Sequence, residues 1–169
     1  QPLVDPFCGT GTIAIEAALM ARGIAPGINR DFDSVHWPSL PGDIWDQAED
    51  EARSRATGTL KHTIHASDID DNSIALARRN AEAAGVERDI HFVKRDVRDL
   101  TSTRDYGVII ANPPYGERLS DPVEVEALYR ALPLVFRRLP TWSFHILTAR
   151  LDLESIFGQP ATRRRKLYN

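Results

Sequence analysis

Val108-Ile109-Ile110-Ala111-Asn112-Pro113-Pro114-Tyr115, continuing as Gly116-Glu117-Arg118-Leu119, is an apolar run that halts at two adjacent prolines. Val108 to Ile110 reads as a strand buried on both faces of a parallel sheet. Neither proline can donate to a ladder or continue a helix, so the chain must leave the sheet there in a stiff, extended form. An amide side chain, carbonyls without a competing N–H, and an aromatic ring then sit together at the carboxyl end of a strand. Open α/β sheets bind their ligands at that edge. The competing reading is an ordinary proline-rich turn, and the rest of the chain decides between them.

A chain of 169 residues has the length of one domain and can bury an adequate core. Its 42% hydrophobic and 27% charged residues are ordinary for a globular protein. No apolar run approaches a membrane span. The single Cys8 excludes an internal disulfide framework and suits a reducing cytoplasm. The five histidines are scattered without ligand spacing to Cys8, so no metal site is expected. A net charge of −3 is less basic than a module that holds nucleic acid alone. If a polynucleotide is the substrate, much of the grip is expected outside this segment. Gln1 to Val4 already reads as a central strand with no lead-in, and Thr162 to Tyr168 begins a strand that runs into a turn at Leu167-Tyr168-Asn169. The chain is therefore expected to be one domain, residues 1–169, of something longer.

Working outward from residue 108, the nearest partner is the amino-terminal segment. Asp5-Pro6-Phe7-Cys8-Gly9-Thr10-Gly11-Thr12 follows the first strand and opens a helix whose apolar positions are Ile13, Ala17, Leu19 and Met20. Gly9 and Gly11 let the backbone approach a ligand, and the helix N-terminus offers free N–H groups. Asp5 in front of them would repel a phosphate, so the turn suits an ammonium or hydroxyl. Residues 24–60 break the βαβ rhythm with several prolines and a charged helix over 43–56, and Phe32, Trp37 and Trp45 are expected to pack this insertion onto the domain. An exposed aromatic platform for bases is the other reading of those rings.

The rhythm resumes with a strand over Thr63–Ser67 that ends at Asp68-Ile69-Asp70, and a helix over Ser73–Gly85. Asp68 is placed to accept from ribose hydroxyls, and Asp70 reads as the helix cap. A third strand, Ile90–Val93, ends near Asp96 and Val97. Asp96 could accept from an exocyclic amine or simply satisfy local N–H groups in a turn. Val123–Leu139 reads as a helix kinked at Pro133, Trp142–Leu147 as a fifth strand, and Leu153–Phe157 as a helical turn. Arg163-Arg164-Arg165-Lys166 would either meet phosphate or lie solvated.

Four successive strand ends thus carry Asp5 with Gly9 and Gly11, Asp68, Asp96, and Asn112-Pro113-Pro114-Tyr115. Together they resemble the Rossmann-like class I S-adenosylmethionine-dependent methyltransferases, with DPFCGTG similar to the first motif and NPPY to the fourth motif of the amino-methylating branch. More narrowly, DPFCGTGTIAIEAALMARGIAPGINR, the long insertion, SDID and NPPYGERL resemble the bacterial large-subunit ribosomal RNA guanine-N2 methyltransferases of the RlmL and YpsC type. That resemblance implies a mostly parallel doubly wound sheet with an insertion after the first helix, a truncated final hairpin, and an RNA-binding THUMP domain preceding this one.

Carried over by position, the resemblance implies a cofactor site of Asp5, Phe7, Gly9, Thr10, Gly11, Thr12, Asp68, Ile69, Asp96, Val97 and Asn112. Asp5 would lie near the methionine ammonium, Asp68 would hold the ribose, Ile69 and Val97 would sandwich the adenine, and Asp96 would accept its amino group. Asn112, Pro113, Pro114 and Tyr115 would form the catalytic turn, with Tyr115 stacked on the target base. The chemistry fits those residue types, because an aryl amine is a poor nucleophile. Two acceptors on its hydrogens direct the lone pair outward and stabilise the developing positive charge. DNA adenine-N6 and protein glutamine-N5 methyltransferases share NPPY, and a non-catalytic RNA-binding module is the reading from another class.

Overall fold

The computed structural model describes residues 1–114 and 122–167. Five parallel strands form one sheet: β1 (Leu3–Asp5), β2 (Ile64–Asp68), β3 (Ile90–Lys94), β4 (Val108–Ala111) and β5 (Ser143–Ile146). Their order across the sheet is β3-β2-β1-β4-β5. β1 has only three residues, yet it is paired on both sides, with Val4 opposite His65 of β2 and Ile109 of β4. The chain grows outward from β1 to β3, then returns to the other side of β1 for β4. That reversal leaves a crevice at the carboxyl ends of β1 and β4, where open sheets bind ligands.

Alternation along the strands builds a core on each face. Ile64, Ala66, Ile90 and Phe92 meet α1 (Thr12–Ala21) and α3 (Asp71–Ala83) through Ala14, Ala18, Ile74, Ala77 and Ala81. Val4, Ile109 and Ala111 meet Tyr129, Leu132, Val135 and Phe136 of α4 (Pro122–Phe136). Phe136 also stacks on Phe144 of β5, with centroids 4.5 Å apart. α5 (Leu153–Phe157) closes that side. Helix α4 runs on through Pro133, which lies inside it.

The apolar phase of α1 differs from the sequence reading. Ala14 and Ala18 are its buried residues, and Met20 is 78% exposed. An alanine-rich helix presents no polar face from which to read the phase. Small residues win the inner face because Gly11 and Ala77 draw α1 and α3 together: a Cβ on Gly11 would stand 3.1 Å from that of Ala77.

The insertion carries α2 (Ile44–Arg55), which buries no residue. Phe32 stacks on Trp45 at 5.6 Å while Trp37 stays 58% exposed, so the rings pack the insertion largely on itself. Its root is tight. Thr57 N donates to Arg22 O at 2.7 Å. The Arg22 guanidinium reaches the Thr57 and Gly85 carbonyls and the carboxylate of buried Asp89, which also accepts from Leu60 N at 2.7 Å.

The expected strand over Thr162 to Tyr168 is not formed among the described residues, which end at Leu167. Arg164 instead turns back to pair with Glu154 of α5, and Ala161 N donates to the same carboxylate.

Candidate active site

The turn after β1 is held by hydrogen bonds that its own sequence does not supply. Cys8 N donates to Ser67 O at 2.9 Å and Gly9 N to Asp68 Oδ2 at 2.9 Å, so the loop hangs from the end of β2. Asn80 of α3 donates its amide to Thr10 O at 2.9 Å. Gly9 and Gly11 both adopt positive φ, 49° and 89°, a region closed to most side chains. They differ in what they face. A Cβ on Gly9 would meet nothing within 4 Å among the described residues, whereas one on Gly11 would press on Ala77 and Ile15. Gly9 therefore serves open space above the sheet edge, and Gly11 serves helix packing. Thr10 and Thr12 are exposed at that edge, and Phe7 packs partly against the α4 core.

Asp5 is 1% exposed. Its Oδ1 accepts from Phe7 N at 3.2 Å, but buried Oδ2 has no hydrogen-bond partner among the described residues. Burial pushes the carboxyl up to about 7, the Phe7 N–H opposes this, and the Asp68 charge adds to the rise. Asp68 is half-buried and receives Gly9 N on one oxygen and Asp70 N at 3.0 Å on the other. Each carboxylate oxygen keeps a second lone pair for a further donor. Asp70 caps α3, accepting from Asn72 N and Ser73 N, and those bonds hold its carboxyl below the usual range. Ile69 between them is 64% exposed, an apolar side chain standing free at the rim.

Asp96 accepts from Arg98 N at 2.8 Å, so the turn role anticipated for it is filled on one oxygen. Val97 is 4% exposed and packs in the α4 core, with little surface to offer a ring. At the end of β4, Asn112 is exposed, Pro113 buried and Pro114 half-buried. Tyr115 and Gly116 to Leu119 lie outside the described residues.

Register aligns these groups. Asp5 is opposite Ala66, and Val4 opposite Ile109, so Asp68 and Asn112 each stand two residues beyond the Asp5 row. With β1 between them their strands are about 10 Å apart. Asp5, Gly9, Asp68 and Asn112 therefore share one rim, joined by Asp96 on β3's side. Sequence reasoning did not reach Asn80, which lies 70 residues from Thr10 with no local signal. It also did not reach Arg150, which bridges Glu126 of α4 and Asp152 beyond β5.

A five-stranded parallel sheet of this order, with an acid and a glycine turn on its central strand and Asn-Pro-Pro on the next, is a class I methyltransferase fold. The whole chain, residues 1–169, matches the family described as RMKL-like, methyltransferase domain, and it belongs to that family. It is 46% identical over its full length to YpsC of Bacillus subtilis (strain 168), named as a candidate RNA methyltransferase. It is 40% identical over 99% of its length to the ribosomal RNA large subunit methyltransferase K/L of Shewanella baltica (strain OS185). It spans 44% of the first relative and 24% of the second. Among solved structures, SMU.472, described as a methyltransferase complexed with SAH, superposes with a TM-score of 0.93 at 40% identity, over all of this chain and 45% of that one. A structure from Listeria monocytogenes str. 4b F2365, described as a predicted N6-adenine-specific DNA methylase, gives 0.89 at 45% identity over 99% and 44%.

Proposed function

We propose that this chain transfers a methyl group from S-adenosylmethionine to an exocyclic amine of RNA, with guanine N2 of large-subunit ribosomal RNA as the acceptor. The observation that carries the reading is the shared rim: the unpartnered Asp5 oxygen, the Asp68-anchored glycine turn and Asn112-Pro113-Pro114 lie side by side. A buried carboxylate oxygen without a donor fits a ligand ammonium. Asp68 has lone pairs left for ribose hydroxyls, and exposed Ile69 offers an apolar face to an adenine ring. When bound, the cofactor supplies an electrophilic methyl group and its own leaving group.

The chain's part in the chemistry is positioning. The Asn112 side-chain oxygen and the Pro113 carbonyl accept the two N–H bonds of the amine. Holding both hydrogens turns the nitrogen lone pair out of the ring and stabilises the positive charge that grows on nitrogen. Buried Pro113 has no N–H to compete for those acceptors and fixes φ, so the pair is pre-set before substrate arrives. Proton loss can follow transfer, so no strong base is required. The RNA acceptor draws support from the relatives' names and the guanine N2 assignment from the GERL resemblance. The Listeria neighbour's name keeps adenine N6 of DNA as a second reading.

Incubating the protein with methyl-labelled S-adenosylmethionine and, in parallel, large-subunit ribosomal RNA, duplex DNA and release factor separates these. N2-methylguanosine in the RNA digest supports the proposal. Label in DNA adenine or in the glutamine amide overturns the acceptor. Cofactor binding without transfer to any of the three favours a non-catalytic module.

A further inference from the structure

The face of β2 and β3 turned away from α1 and α3 carries a groove of about 390 Å³, at the low end of the ~300–1,000 Å³ range of ligand clefts. Its floor is apolar, from Val4, Val93 and Leu100. Its titratable lining is of one kind: His65, His91, Arg95 and Arg104, with no carboxylate among the lining residues. Neutral hydroxyls from Ser67 and Thr101 to Thr103 complete the wall.

That composition departs from the rest of the chain, whose net charge is −3. Between residues 24 and 60 the balance is −4, seven Asp and Glu against Arg30, Arg53 and Arg55. Most arginines of the described residues are spent on partners, as Arg22, Arg53, Arg130, Arg150 and Arg164 are. The guanidiniums of Arg95 and Arg104 make no ion pair or hydrogen bond with any described residue. His65 and His91 meet edge to face at 5.6 Å, and no acid among the described residues lines the groove with them. Two unneutralised cations held over one groove are an electrostatic cost that a polyanion relieves.

We propose that this groove seats the sugar-phosphate backbone of RNA, leading the strand along β2 and β3 toward the methyl-transfer rim. The proposal rests on the RNA reading above. Position argues for it: Arg95 follows β3 and directly precedes Asp96 at the rim, while Arg104 and Trp142 precede β4 and β5 at the opposite strand ends. The contact is to the backbone, because the groups left unpaired in the lining are the two guanidiniums, while Trp142 is buried with its indole N–H committed to Arg104 O at 2.9 Å. Burial, His91 and the two arginines lower the His65 proton affinity; a phosphate in the groove reverses the charge terms, and His65 then takes up a proton.

The test is fluorescence anisotropy with a 15-nucleotide oligouridylate across a salt series, comparing the protein with Arg95→Gln/Arg104→Gln and with Arg104→Gln alone. Calorimetry with S-adenosylhomocysteine checks that the variants keep the fold. The double variant is expected to bind the oligonucleotide about 10–100-fold more weakly, with the log–log salt slope smaller by about 1.4, the loss of two phosphate contacts on single strands. Arg104→Gln alone is expected to lose about half of that slope. In the unsubstituted protein the His65 ring resonances should titrate at higher pH once RNA is bound. Unchanged affinity and slope in both variants overturn the proposal, even where methyl transfer to RNA proceeds normally. An arginine-dependent slope with no methyl transfer supports the groove and sinks the functional reading instead. Equal, arginine-dependent binding of poly-aspartate would assign the groove to an acidic protein segment and overturn the RNA assignment.

Discussion

Asp5→Asn separates the folding role of the buried acid from its ligand role. In the folded chain the carboxyl is raised from 3.8 to about 7 because burial outweighs the single Phe7 N–H bond. Between those two values the folded state holds a proton that the unfolded state has released. Stability therefore falls as pH climbs from about 4 to about 7 and is level above that. At about 1.4 kcal/mol per unit the full penalty at pH 8 is on the order of 4 kcal/mol. Asparagine keeps an oxygen for the Phe7 N–H but places an unsatisfied NH₂ where Oδ2 stands, and that returns about 1–3 kcal/mol. The net expectation is a ligand-free variant more stable at pH 8 by about 1–3 kcal/mol, or roughly 3–10 °C in Tm for a chain of this length. The advantage should vanish below pH 5. Calorimetric melts at pH 4.5, 6 and 8 read this directly. S-adenosylhomocysteine affinity should move the other way, weakening about 10–100-fold with the loss of one charged hydrogen bond. Binding to the unsubstituted chain at pH 7 should release about half a proton, since Asp5 is about half protonated there, seen as a dependence of the calorimetric heat on buffer ionisation enthalpy. A variant no more stable than the parent at pH 8, or one whose advantage persists at pH 4.5, refutes the buried-charge argument.

Asn112→Ala should retain S-adenosylhomocysteine affinity within about twofold and lower single-turnover methyl transfer by at least about 100-fold, since its bond strengthens as charge develops on nitrogen; an unaltered single-turnover rate contradicts the role. Asp68→Ala should weaken cofactor binding by about 100-fold and also release Gly9 N, so amide exchange at residues 8–11 should quicken; an unaltered dissociation constant means another acid holds the ribose. Asp89→Ala leaves the Arg22 guanidinium and Leu60 N without their shared acceptor and should cost about 2–4 kcal/mol in urea unfolding. A loss under about 0.5 kcal/mol would show the insertion root to be held by Arg22's carbonyl contacts alone.

Much of the sheet was legible because its strands are apolar runs stopped by specific residues. Ile64, Ile90 and Val108 open strands where β-branched residues cluster, and Asp68 and Asn112 mark their ends. The α3 cap was legible for the same local reason, since Asp70 bonds to N–H groups two and three residues ahead. What escaped was long-range. Nothing near Gly11 shows that it faces Ala77, and nothing near Asp5 shows that one of its oxygens is sealed in without a donor. Val97 packs in the core that α4 covers, a contact that no local pattern announces. The strand expected at Thr162–Tyr168 gives way, over its described residues, to the pairing of Arg164 with Glu154 of α5, which no local pattern announces.

The arm between α1 and β2 leaves and re-enters the domain at a single point, where Thr57 N meets Arg22 O at 2.7 Å. Geometrically it is a pendant on a closed clasp. A change in its charge or aromatic content far from the root has no direct route to the sheet, because both ends of the excursion are pinned by the same arginine. Substitutions out along such a segment should therefore leave the rim of the sheet beside it unaltered.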